Sequence, residues 1–141
     1  MSVLDPQKAL RLRENAFTTY NFMELESVEP DRAVYRLDIR QESTNPYGMV
    51  HGGALYTLAD DAAGTAAHSD GRCYVTQNGS RHVLDNRAHG IIRAVGTVRH
   101  RGRSTVLALV DITSEDGTLL ATGEFSYFCV DRVRMEERAE E

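Results

Sequence analysis

Between a pair of glycines at 52 and 53 and the turn Ser69-Asp70-Gly71, the chain carries one stretch whose apolar residues fall at helical spacing: Leu55, Leu58, Ala59, Ala62, Ala63 and Ala66. Alanine and glycine dominate it. An amphipathic surface helix shows one apolar stripe, whereas a helix of small residues invites close approach from several sides. The rest of the chain therefore has to wrap it.

The flanking segments suit that task. Residues 20–29 and 32–40 read as strands joined by Glu29-Pro30-Asp31, with Ala33, Tyr35, Leu37 and Ile39 alternating against Val34, Arg36, Asp38 and Arg40. Residues 44–51, with Pro46 and Gly48, read as a loop into the helix. Beyond it come strands over 73–84, 90–100 and 104–113, and Ser114-Glu115-Asp116-Gly117 turns the last of these into 119–130. Short turns between successive strands predict an antiparallel sheet, and one helix against it predicts an α+β layer architecture. No internal repeat or low-complexity segment interrupts the pattern.

A chain of 141 residues is expected to form one domain over 1–141, with a helical flank over 1–18 and an acidic tail over 132–141 that carries Glu136, Glu137, Glu140 and Glu141. In the flank, Asp5-Pro6 starts a helix over 7–16 that carries Leu10 and Leu12. The net charge of −5 argues against nucleic acid, which recruits domains with a basic surplus. The longest apolar-rich run, 54–67, is broken by Asp60 and Asp61 and is shorter than the ~20 residues of a membrane span. The first residues lack a secretory pattern, so a cytoplasmic location is expected. Cys73 and Cys129 lack metal spacing and read as reduced core residues. The histidines 51, 68, 82, 89 and 100 show no ligand pattern either, so neither a metal nor another cofactor is expected.

Chemistry concentrates in Asn45-Pro46-Tyr47-Gly48-Met49-Val50-His51-Gly52-Gly53 and in the Asp60-Asp61 pair of the helix that follows. Glycines at a helix start let another molecule approach the backbone, and the amides there carry partial positive charge that suits an oxyanion. Tight packing against a sheet is the bland alternative. A carboxylate between Leu58-Ala59 and Ala62-Ala63 must line a cavity or meet a partner. It can act as a general base or nucleophile in acyl transfer, or be held by Thr57, Thr65 or an arginine. Gly52 and Asp60 lie eight residues apart, ~12 Å along a helix at 1.5 Å per residue. They cannot flank one carbonyl within one chain; serving one substrate requires a dimer in which each protomer supplies one of them.

This stretch resembles the signature of the phenylacetate-type (PaaI-like) branch of hotdog thioesterases: the asparagine six residues before the histidine, the His-Gly-Gly, and the Leu-Ala-Asp that follows. The resemblance runs from about 20 to 130 and includes His100-Arg101-Gly102-Arg103 and Asp116-Gly117. It implies the hotdog fold, a sheet wrapped around a central helix, in a homodimer or a tetramer of paired dimers. It also implies hydrolysis of an aryl- or fatty-acyl-CoA, with CoA present only as part of the substrate. Asp60 is then the catalytic carboxylate and the Gly52 amide polarises the thioester carbonyl. Asn45 positions the water or the thioester, and Thr76 holds the attacking water. His51 fixes the loop, while Gly53 and Asp61 border the substrate. Arg99, His100, Arg101 and Arg103 form a basic turn that either meets the CoA phosphates or is simply solvated. Two features depart from the family's pattern: the polarity of 76–84 and the second acid, Asp61. Two rival readings stay open. One is an acyl-CoA hydratase or dehydratase using His51 with Asp60; the other is an acyl-CoA-binding module without turnover.

Overall fold

The computed structural model describes residues 15–130 and 137–141, so most of the helix expected over 7–16 and the first half of the acidic tail lie outside the described residues. The chain runs α1 (Ala16–Tyr20), β1 (Met23–Glu29), β2 (Arg32–Asp38), a 3-10 turn (Gln41–Ser43), α2 (Gly52–His68), β3 (Cys73–Val83), β4 (Ile91–Arg101), β5 (Thr105–Ser114) and β6 (Leu119–Val130). The first strand starts later than its residue types suggest. Asn15 caps the short α1 with its side chain, and Phe22 turns the chain at a positive φ of 64° before β1 begins.

All strand pairs are antiparallel, in the order β1-β2-β4-β5-β6-β3. The β1–β2 turn sets Pro30 ahead of Asp31 at φ 62°, and the β5–β6 turn sets Gly117 at φ 86° with its amide bonded to the Ser114 carbonyl at 3.0 Å. Helix α2 lies against all six strands, which is the α+β arrangement expected. Its small residues have a direct cause at Gly96 of β4, where an added Cβ would stand 2.5 Å from the carbonyl of Ala62. Helix backbone and sheet backbone touch there, so neither partner has room for a side chain.

Phe125, Leu37, Leu55, Leu58, Ile92, Ile112 and Leu120 are the largest fully buried side chains of the core. Both cysteines are free and half-buried. Strand β3 follows α2 in sequence yet crosses to the far edge of the sheet, where among the described residues it pairs only with β6. Its other edge meets no strand among the described residues over its 11 residues, much of them exposed.

Candidate active site

At the start of α2 the sequence disposes of its backbone donors unevenly. His51 is the N-cap, in extended conformation, and its Nδ1 accepts from the Gly53 amide at 2.8 Å. The His51 carbonyl accepts from the Ala54 and Leu55 amides at 2.9 and 3.1 Å. The Gly52 amide makes no hydrogen bond among the described residues and carries the positive end of the helix dipole. Asn45 builds the loop that delivers it. Its Oδ1 accepts from the amides of Tyr47 and Met49 at 2.9 and 3.2 Å, and its own amide donates to the Met49 carbonyl at 2.8 Å.

Two turns further along α2, the paired acids find partners that the sequence did not reveal. The hydroxyl of Tyr127, buried on β6, donates to Asp60 Oδ1 at 2.8 Å and to the Asp60 carbonyl at 3.2 Å. Thr18 of α1, also buried, donates to Asp61 Oδ2 at 2.8 Å. Burial pushes the Asp60 carboxyl up, with the Tyr127 hydrogen bond opposing. Burial also lifts Asp61, to about 6; Thr18 opposes this and the charge of Asp60 adds to it. Neither Thr57 nor Thr65 holds an aspartate: Thr57 donates to the Gly53 carbonyl and Thr65 meets the Tyr35 hydroxyl. A tyrosine at an inward position of a strand needs a partner for its hydroxyl, and that was the one available hint of Tyr127.

Asp60, Asp61, His68, Tyr74, Thr76 and Tyr127 border one cavity of about 160 Å³. Thr76 stands directly across from Tyr127 in the β3–β6 register, hence on the same face of the sheet. A second cavity, of about 580 Å³, opens at the helix start between His51, Gly53, Tyr56, Arg81, Phe17 and Glu42. The structure thus groups Asp60, Asp61 and Thr76 at one place and Asn45, His51, Gly52 and Gly53 at another. His68 is neutral and structural: its Nδ1 contacts the Gly64 carbonyl at 2.6 Å, its Nε2 accepts from the Tyr74 amide, and burial holds its pKa down. No group of metal-binding side chains occurs among the described residues.

Arg101 differs from expectation. Its Nε and Nη2 donate to Asp31 at 3.2 and 2.8 Å, and its Nη1 donates to Asp70 and to the Ala67 carbonyl at 2.8 and 3.0 Å. Its side chain is 8% exposed, so it closes the C-terminal end of α2 and does not face a phosphate. The cause is a bulge in β4: the register with β5 shifts between Val98 and His100, which turns Arg101 inward opposite Val106. Burial pushes Asp70 up, but hydrogen bonds from Tyr74 and Arg72 and the charge of Arg101 outweigh it and hold the carboxyl below its usual range. Arg103, at the tip of the same turn, is exposed.

The family model of the thioesterase superfamily matches residues 47–121 of the 141, more than half of the chain. The 1,4-dihydroxy-2-naphthoyl-CoA hydrolase of Listeria monocytogenes serotype 1/2a is 30% identical over 102 residues, covering 70% of this chain and 82% of the relative. A variant of the phenylacetic acid degradation protein PaaI of Thermus thermophilus superposes with a TM-score of 0.78 at 25% identity, covering 82% of this chain and 100% of the other. The PaaI protein from the phenylacetic acid degradation operon of E. coli gives 0.84 at 24% identity, over 89% and 92% of the two chains, a likeness of fold. On the family match and the fold, this chain belongs to the thioesterase superfamily, as a hotdog-fold thioester hydrolase.

Proposed function

We propose that the chain hydrolyses acyl-CoA, aryl-CoA above all, in a homodimer where the Gly52 amide of one protomer and the Asp60 carboxylate of the other flank the same thioester. The observation that carries this reading is the pairing of an open Gly52 amide with a half-buried, upshifted Asp60 on one rigid helix. An aryl substrate is suggested by two of the similar proteins, a dihydroxynaphthoyl-CoA hydrolase and a phenylacetic acid degradation protein. The open edge of β3 and the exposed Phe17, Tyr47 and Met49 beside the helix start suit a contact between protomers. Paired dimers remain part of the proposal. No helix among the described residues is long and apolar enough to cross a membrane.

Tyr127 holds Oδ1 of Asp60, which leaves Oδ2 to act. A water steadied by Thr76 attacks the carbonyl carbon as its proton passes to Asp60. The carbonyl electron pair moves to the oxygen at the Gly52 amide and returns as the C–S bond breaks, and the departing thiolate takes the proton from Asp60. These steps call for no metal or redox cofactor. Arg103, exposed like Arg99 in the same basic turn, is our candidate to meet the CoA phosphates. The hydratase reading is disfavoured by the matching family and the Listeria relative, which are named for thioester hydrolysis.

The test is thiol release from a panel of aryl- and fatty-acyl-CoAs by wild type, Asp60→Asn and Asp61→Asn. The expected outcome is a loss of about 10²–10⁴ in kcat for Asp60→Asn, the usual worth of a positioned acid–base group, with Asp61→Asn much milder. Tight binding without turnover on every member would replace this reading with the binding module.

A further inference from the structure

We infer that Arg81 completes the oxyanion site, its guanidinium supplying a second hydrogen-bond donor and a full positive charge beside the Gly52 amide. The inference rests on thioester hydrolysis at Gly52 and adds a catalytic residue to it.

The helix start itself is short of donors. The Gly53 amide belongs to His51 Nδ1, and the Ala54 and Leu55 amides belong to the His51 carbonyl. One open amide is a thin cradle for the negative charge of a tetrahedral intermediate, which such sites commonly share among several donors.

Arg81 stands where the second donor is needed. A bulge in β3, between Thr76 and Asn78, changes which residues face the helix and brings Arg81 inward opposite Gly123. Its Nε donates to the Gly52 carbonyl at 3.0 Å, which anchors the planar guanidinium against the first turn of α2. Its Nη2 lies 2.7 Å from the point that a Cβ on Gly52 would occupy. In a helix that bond leans toward the N-terminus, the direction in which the Gly52 amide also points. An oxygen held by the amide therefore has the guanidinium at its side.

Neither Nη1 nor Nη2 donates to any described residue, and no carboxylate forms an ion pair with Arg81 among the described residues, although Glu42 borders the same cavity. The structural duty of the side chain is met by Nε alone. The requirement for glycine at 52 follows too, since a side chain there would push the guanidinium away.

The experiment compares full-length wild type, Arg81→Lys and Arg81→Met with benzoyl-CoA and butanoyl-CoA. Arg81→Met is expected to lower kcat and kcat/KM together by about 100-fold on both substrates, as loss of an oxyanion donor does. KM should stay within about two-fold, because the contact with the ground-state carbonyl is weak and strengthens as the oxyanion develops. Arg81→Lys keeps the charge and recovers part of the loss. A merely structural role leaves the carbonyl itself untouched, so a second measurement reads the infrared C=O stretch of isotope-labelled benzoyl-CoA bound to Asp60→Asn. That band should move back toward its solution position in Asp60→Asn/Arg81→Met. Should Arg81→Met fail to fold, Arg81→Gln retains donors without charge and is expected to lose about ten-fold in kcat. Unchanged kcat, an effect on KM alone, an effect confined to one acyl group, or an unmoved carbonyl band each overturns the role of Arg81. Absence of turnover by the wild type is a separate result, which removes the thioesterase reading while the carbonyl band still reports on Arg81.

Discussion

The two ends of α2 are treated in opposite ways. At the C-terminal end, Arg101 donates to the carbonyls of Ala66 and Ala67 while holding Asp31 and Asp70, and Tyr74 joins the same cluster. At the N-terminal end, the Gly52 amide meets no described residue and the surrounding loop is exposed. A helix end costs free energy wherever its polar groups lack partners away from water. The closed end therefore serves stability, and the open end keeps a donor in reserve for something that arrives from outside.

The strongest way to break this contrast is to open the closed end. Arg101→Met removes one of two arginines on the buried Asp70, with Arg72 remaining, and also the donor to Asp31 and to the Ala66 and Ala67 carbonyls, so unfolding in denaturant should show a loss of about 3–5 kcal/mol, the range for breaking a buried ion-pair network. Activity per folded molecule should survive. Arg103→Met, at the tip of the same turn, should change stability by no more than about 0.5 kcal/mol. An equal loss from both would mean that Arg101 has no special structural duty.

Closing the open end is the next largest effect. Proline suits the first position of a helix, and His51 before it is already extended, with φ −63° and ψ 136°. Gly52→Pro should thus preserve the fold while deleting the one open amide and, through its Cβ, shifting the far end of the Arg81 side chain. Thiol-release assays should show kcat lower by about 10²–10³, the worth of an oxyanion donor. Wild-type turnover in a folded Gly52→Pro protein would remove the amide from the mechanism.

The smallest effect lies between the two ends. Asp61 binds a proton more tightly in the folded state, at about 6, than in the unfolded chain at 3.8. Folding therefore favours protonation, and Asp61 costs stability progressively as pH rises from about 4 to about 6, with no further loss above. In Asp61→Asn this slope should disappear, so melting temperatures recorded from pH 4 to 7 should fall less for the variant than for wild type. Parallel curves would show that Asp61 is not perturbed.

Much of this contrast was legible in the residues. The spacing from Leu55 to Ala66 predicted α2, and the alternation in 32–40 and the turns at 29–31 and 114–117 predicted the sheet. The bulges were not legible. A single extra residue in β4 reverses which side chains face inward, and no residue type marks the place, so Arg101 read as exposed beside Arg103. The same holds in β3, where the shift before Asn78 brings Arg81 to the helix. Tyr127 lies 67 residues from Asp60 in sequence, and only the β3–β6 pairing and the fold of the sheet join them. Asn45 showed the reverse: its local loop could be read from Pro46 and Gly48, but not the turning of its Oδ1 into that loop.

The contact between Gly96 and the Ala62–Ala63 peptide has a mechanical meaning. Two backbones in direct touch index the helix against the sheet like a pin in a slot, so α2 can neither slide nor roll without a clash. The separation of the open amide from the carboxylates is then a fixed ruler, set by the rise of the helix rather than by any loop. Divergence of such a chain toward new acyl groups has to proceed by recarving the cavities at the two places, because the reacting groups themselves have nowhere to move.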